Sequence, residues 1–302
     1  MKALKVVLSL ITQDNDYQRE QAAVAETTAQ RLGMQLRILY ANSDAIAQTQ
    51  QILQVIHAAP GERPDAVIVE PVGTGMPQVA SAAAHVGVGW IVVNREADYL
   101  VPIRSTTQVP IGSIASDNME IGRIQARQFA ALLPGGGSVL YVEGPSTEIA
   151  KQRRTGLEEN LPANIQINAV RGKWTQESGF QAVNSRLQLQ GTRPPNVGII
   201  GCQNDDMAMG ARRAIEGLPP AQRDMWLQIP LTGVDGVPTT GQVWVRNGQL
   251  AATVITPALT GVALELLAKG FSTGSQIPER MLIKPMSFPP VEELRPKAPP
   301  AH

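Results

Sequence analysis

The stretch NVGIIGCQNDDMAMGA (Asn196–Ala211) decides the fold class. Its first part, NVGII, is a short apolar run of the kind found in a strand buried on both faces. Gln203, Asn204, Asp205 and Asp206 then interrupt the run, and the next helix begins. A buried strand that enters a helix through a polar turn is the repeating unit of a parallel α/β sheet. The turn itself admits three uses: an ordinary helix N-terminus, a carboxylate pair for a metal or for catalysis, or a polar hand reaching into a ligand cleft.

Working outward, the same alternation recurs. Strand-like runs are KVVLSL (5–10), QLRILY (35–40), DAVIVE (65–70), GWIVVN (89–94), SVLYVEG (138–144), IQINAV (165–170), NVGIIG (196–201), LTGVDG (231–236) and AATVIT (251–256). Ala-rich helical segments separate them. QREQAAVAETTAQRLG places Arg31 before the stop Gly33, and DNMEIGRIQARQFAALLPGGG ends in Pro134 and three glycines. About nine strands exceed the ~5 to 6 of one doubly wound sheet, so two parallel sheets flanked by helices are expected. A crossing from the first to the second falls at Ser113–Asn118, after the weakly periodic VPIRSTTQVPIG. The Pro-rich tail is expected to be loosely ordered beyond Glu293.

Composition narrows the function. The 302 residues carry zero formal net charge with only 17% charged residues, which gives no electrostatic footprint for nucleic acid. The single Cys202 excludes an intrachain disulfide, and His57, His85 and His302 are too scattered to form a zinc set with it. No apolar run approaches the ~20 residues of a membrane span. MKALKVVLSLI imitates a secretory signal faintly but has no small-residue cleavage site, so it is read as the first strand. An exported protein would then have lost its signal; as the chain stands, a cytoplasmic location is also open.

In open α/β sheets, ligands bind beyond the carboxyl ends of the strands. There this sequence gathers Asp14, Asn15, Asp16, Tyr17 and Gln18 after the first strand, Glu70 after the third, and Asn94 and Arg95 after the fourth. In the second half it gathers Arg153 and Arg154, Trp174, Asn204, Asp235 and Thr256. Asp, Asn and Arg satisfy sugar hydroxyls that lose water, and aromatic rings pack on the apolar C–H faces. Helix capping explains single Asp and Asn residues equally well. Arg95, Arg153 and Trp174 are not capping residues.

In order and spacing, IASDN, QNDDMAMGA, GVDG and QLAATVITP resemble ribose-binding protein and its relatives, the type I periplasmic sugar-binding proteins of ABC transporters. The likeness spans roughly residues 5–285. It implies two Rossmann-like lobes joined by three hinge crossings, residues 1–114 with 257–283 and residues 115–256 with 284–302, and one sugar closed between them. Carried over by motif, first-lobe contacts fall on Asn15, Tyr17, Gln18, Glu70, Asn94 and Arg95. Second-lobe contacts fall on Arg153, Trp174, Asn204 and Asp235, with Thr256 at the crossing strand.

This sequence departs from ribose binders, which are expected to show Asp at Asn94, Asn at Glu70, Gln at Thr256 and Phe near Gln18, so ribose specificity does not carry over. One expectation is that Glu70 supplies part of the pairing of Arg95 that an Asp would give; the alternative leaves Glu70 in solvent and has Glu96 or Asp98 balance the charge.

No GxSxG, P-loop, HExxH or paired-Cys motif is present. Gly73, Gly75 and Gly135–Gly137 read as turn residues. Asp205 and Asp206, successive at a helix start, diverge by about 100° and are expected to cap and polarise that helix rather than share a centre. Cys202 reads as a buried small residue. The expectation is a non-catalytic, monomeric receptor, without cofactor or metal, that hands a monosaccharide or polyol to a membrane permease. Lactose-repressor-type regulators share the implied fold but carry an N-terminal helix-turn-helix where this chain has a strand; a sensing module for a kinase or chemoreceptor stays open.

Overall fold

The computed structural model describes residues 3–73, 76–190 and 196–296. Strands and helices alternate as β1 (Lys5–Leu10), α1 (Asp16–Arg31), β2 (Gln35–Tyr40), α2 (Ala45–Ile56), β3 (Ala66–Val69), α3 (Pro77–His85), β4 (Gly89–Val93), α4 (Leu100–Arg104) and β5 (Ile111–Ser116). They continue as α5 (Asn118–Leu132), β6 (Gly137–Glu143), α6 (Glu148–Asn160), β7 (Ile165–Arg171), α7 (Gln176–Gln190), β8 (Ile199–Cys202), α8 (Asp205–Glu216), α9 (Pro220–Leu227) and β9 (Leu231–Thr232). The last elements are α10 (Gly241–Arg246), β10 (Thr253–Ile255), α11 (Leu259–Thr273), β11 (Arg280–Ile283) and β12 (Met286–Phe288). Two compact units result, Met1–Ser116 with Ala258–Ile283 and Asp117–Pro257 with Lys284–His302, so the chain passes from one to the other three times.

In the first unit six parallel strands lie in the order β11-β5-β4-β3-β1-β2. Side chains alternate between the two faces. Val7, Val67, Val69, Trp90 and Val92 pack on α2 and α3 through Ile52, Ile56, Val79 and Ala83. Val6, Leu8, Ile68, Ile91 and Val93 pack on α1 and α11 through Ala25, Ala29, Leu264 and Leu267. That double burial is why these strands read as unbroken apolar runs, and each buried aliphatic contributes about 1.5–3 kcal/mol.

In the second unit four parallel strands lie in the order β7-β6-β8-β9. Leu140, Val142 and Ile200 face α7 and α8, while Val139, Tyr141 and Ile199 face α5 and α6. Small residues let paired helices touch backbone to backbone. A methyl on Gly122 of α5 would lie 2.6 Å from the Leu157 nitrogen of α6, and one on Gly210 of α8 would lie 2.7 Å from the Phe180 nitrogen of α7.

Three strands go beyond the sequence reading. β5 falls within the stretch taken as connection and crossing; all six residues are buried, but Gly112, Ser113 and Ser116 break the aliphatic signature. β11 pairs on only one side in its sheet and alternates exposed with half-buried residues. β12 pairs with β10 in antiparallel fashion, Val254 opposite Ser287, so not every pairing is parallel as expected. LTGVDG and AATVIT shrink to two- and three-residue strands. Leu294, past the expected end of order, is 6% exposed and packs with Phe129 and Leu157. Gly75, His302 and the tail from residue 297 lie outside the described residues.

Candidate functional site

In the first unit, the residues after β1, β3 and β4 form one bonded set around Glu70, which is 4% exposed. Gln18 Nε2 donates to Glu70 Oε2 at 2.8 Å and Asn94 Nδ2 donates to Oε1 at 2.8 Å. Burial pushes the Glu70 carboxyl above its ordinary value, against the pull of these two amides and of Arg95. Burial likewise lowers the Arg95 guanidinium, with Glu70 opposing. Arg95 donates to the Gly73 carbonyl, and among the described residues no carboxylate lies within 4.0 Å of it.

The expected Glu70–Arg95 ion pair is therefore a longer-range attraction, because two amides occupy the carboxylate oxygens. The alternative fails as well: Glu70 is not in solvent, and Glu96 and Asp98 both pair with Arg280, Glu96 at 2.6 Å. Asn15 caps α1, its Oδ1 accepting from Gln18 N at 2.9 Å. Gln18 Oε1 accepts from Ile11 N at 3.0 Å, so this buried side chain ties β1 to Glu70. Tyr17, beside it on the first turn of α1, is half-buried.

In the second unit, three loops at the carboxyl ends of β6, β7 and β8 meet. The Arg153 guanidinium lies over the Trp174 ring, 5.5 Å from its centroid. Arg153 is 6% exposed and is oriented by Nε donating to Asn118 Oδ1 at 3.0 Å and by Nη1 donating to the Gln203 carbonyl. Gln203, fully buried, accepts from Gly144 N at 2.9 Å and donates to the Ala150 carbonyl at 3.0 Å, locking the β6–α6 loop. Trp174 sits at φ +66. Asn204 fixes it there, donating from Nδ2 to the Trp174 carbonyl at 3.0 Å while its Oδ1 caps α8 by accepting from Met207 N at 2.9 Å.

Asn204 is thus the helix cap, a role the sequence reading gave to Asp205 and Asp206. Asp206 accepts from Gln176 Nε2 at 3.0 Å, and Asp205 bonds across to Gly236 and Thr253. Asp235, 7% exposed at φ +112, follows β9, and its carbonyl accepts from Thr256 N at 3.0 Å. Of the five non-glycine residues at positive φ among the described residues, three are Asn94, Trp174 and Asp235. Such conformations persist only where surrounding structure imposes them, and they cluster at binding sites. Cys202 is buried with its thiol pushed upward by burial, which makes it inert. Among the described residues no group of His, Cys, Asp and Glu could hold a metal, and no helix is long and apolar enough to cross a membrane.

The sequence profile of the family described as "Periplasmic binding protein domain" matches residues 6–268. The chain belongs to this family. This periplasmic binding protein domain is 23% identical over 289 residues to the galactofuranose-binding protein of Escherichia coli (strain K12), covering 93% of this chain and 86% of the relative. It is 28% identical to the xylitol-binding protein of Mycolicibacterium smegmatis, covering 70% of this chain but 56% of that relative. Its fold matches an ABC transporter periplasmic solute-binding protein of Actinobacillus succinogenes with bound D-allose, at a TM-score of 0.80 and 22% identity over 94% of this chain and 96% of the other.

The periplasmic binding protein domain also contains supporting residues that the sequence reading passed over. Gln48 of α2, fully buried, donates to Ser9 Oγ at 3.1 Å and to the Glu70 carbonyl at 2.8 Å, and accepts from Val72 N at 2.9 Å. It had a signal: it falls four and eight residues before Ile52 and Ile56, a polar residue on an apolar helical stripe. Asn118 and Gln203 had none beyond standing next to recognised motifs.

Proposed function

We propose that the protein is a solute-binding receptor of an ABC transporter, capturing a monosaccharide or related polyol and delivering it to the membrane permease. The observation that carries this reading is the Arg153–Trp174–Asn204 arrangement, an aromatic face and hydrogen-bonding groups held in fixed geometry by buried partners. A sugar ring needs that pairing of apolar and polar contact. The relatives named for galactofuranose and xylitol, and the structural neighbour with bound D-allose, support the ligand class.

In this reading the protein works outside the cytoplasm, as a monomer, and returns its ligand unchanged. Arg95, Arg153, Asn204 and Asp235 hydrogen-bond the hydroxyls, Tyr17 and Trp174 pack on the ring, and Asn15, Gln18, Glu70, Asn94 and Thr256 complete the set.

Thermal-shift screening against a panel of furanoses, pyranoses and polyols tests the reading. A ligand at 100 times its Kd adds about 2.7 kcal/mol of stability. Asp235→Ala is expected to abolish that shift while leaving the apoprotein folded. A panel without any shift refutes the ligand class, and retained affinity in Asp235→Ala refutes the site.

A further inference from the structure

We infer that Asp205 is a positioning residue for the turn that presents Asp235, and that it sets ligand affinity without touching the ligand. The functional consequence rests on the sugar-binding reading; the structural part does not. The Asp205 side chain is buried, the residue being 3% exposed in the first turn of α8. Its Oδ2 accepts from Gly236 N at 2.8 Å and its Oδ1 accepts from Thr253 Oγ1 at 2.7 Å. Its own N donates to the Val234 carbonyl at 2.7 Å. One residue thereby holds both sides of Asp235, through Val234 and Gly236.

The chamber around the carboxylate is built to fit. A methyl at Gly233 would lie 3.1 Å from Asp205 Cγ, and one at Gly241 would lie 3.0 Å from it, so the chain approaches from two sides as only glycine allows. Asp235 and Gly236 both have positive φ, +112 and +58, and the first is costly for a residue with a side chain. A buried, charge-assisted hydrogen bond to the next amide is a strong means of holding such a turn. The same carboxylate reaches Thr253 of β10, whose strand runs on to Thr256, while Asn204 precedes it directly in sequence. The turn that carries Asp235 and the strand that leads to Thr256 are thus both held by one side chain.

The test measures hydrogen–deuterium exchange of the Gly236 amide and calorimetric affinity for the sugar found by the panel. Asp205→Ala is expected to speed Gly236 exchange and weaken binding by at least about ten-fold each, as loss of a buried charge-assisted bond dictates. Exchange at Leu140 and Ile200 should stay unchanged. Asp205→Asn, whose amide oxygen still accepts from Gly236, should keep both quantities within about five-fold of the parent.

Gly236 exchange within two-fold of the parent in Asp205→Ala overturns the inference. So does a uniform rise in exchange with unchanged affinity of the folded protein, which is what a merely structural residue would give. A parent protein that binds no sugar refutes the receptor reading alone, and Gly236 exchange still decides the positioning role. Should Asp205→Ala not fold, Asp205→Asn decides: the Gly236 amide proton moves upfield on losing a charged acceptor, and an unmoved resonance overturns the inference.

Discussion

Gly144→Ala isolates the packing that presents Trp174. A methyl at position 144 would lie 2.6 Å from Trp174 Cε2 and closer still to Cζ2 and Cη2. Carbon atoms in contact sit about 3.5–4.0 Å apart, so the indole must retreat by roughly 1 Å or more. Its freedom to do so is small: the Trp174 backbone is held at φ +66, Asn204 grips its carbonyl at 3.0 Å, and Arg153 covers the ring. Gly144 itself is not at positive φ, and its N–H to Gln203 is compatible with alanine, so the cost is steric alone.

Overpacking of this kind costs about 1–3 kcal/mol, and displacing the guanidinium from the ring adds about 0.5–2 kcal/mol. Urea denaturation should report a loss within that range, and calorimetry a fall in sugar affinity of about ten-fold or more. The decisive measurement is a double-mutant cycle with Trp174→Ala, in which the new methyl has room. Most of the stability cost should vanish in that background. A cost below ~0.5 kcal/mol in the parent, or one equal in both backgrounds, would refute the reasoning.

Asn204→Ala should lower stability by about 1 kcal/mol through loss of the α8 cap, whereas Asn204→Asp should keep the cap yet weaken sugar binding, because its carboxylate cannot donate to the Trp174 carbonyl. Equal affinity in the Asp variant counts against Asn204 as the fixer of Trp174. Glu70 gives a pH prediction whose sign follows from a carboxyl raised above 4.5 by burial. The folded state favours the protonated form, so this contribution to stability is full below the unfolded pKa and is lost as pH rises through the folded one. The stability of Glu70→Gln relative to the parent should therefore increase from pH 4 to pH 7, measured by urea denaturation; a flat or falling difference contradicts the burial argument.

Sequence revealed those parts of the fold that bury aliphatic side chains on two faces. β1, β3, β4 and β8 announced themselves because helices cover both sides of Val, Ile and Leu. β5 did not, because its buried positions include Gly112, Ser113 and Ser116, and burial of small polar residues leaves no trace in apolar periodicity. The polar residues at strand ends were legible as two groups, one in each unit, since parallel topology puts the carboxyl ends of a sheet's strands on one side. Their individual duties were not: a capping amide and a ligand amide are the same residue in sequence, and only the distances at Asn15 and Asn204 show the cap. The destination of a carboxylate is harder still. Glu70 was read toward Arg95 and Asp205 toward the helix dipole, whereas the fold gives the first to Gln18 and Asn94 and the second to Gly236 and Thr253.

Those two carboxylates share a logic with Asn204. Each of the three candidate site residues at positive φ is bonded by a buried polar side chain: Glu70 accepts from the Asn94 side-chain Nδ2, Asn204 donates to the Trp174 backbone carbonyl, and Asp205 accepts from the backbone amide that follows Asp235. A strained backbone costs on the order of 1–3 kcal/mol, and a buried hydrogen bond offsets part of it, about 0.5–1.5 kcal/mol between neutral groups and about 1.5–3 kcal/mol to a charged one. Removing such a bond releases the strain it opposed, so the net change in stability is smaller than the bond itself, while the presented side chain loses its geometry. For these positions, affinity should therefore fall further than stability. Aliphatic truncations in the sheet cores, where no strain is stored, should show the reverse order.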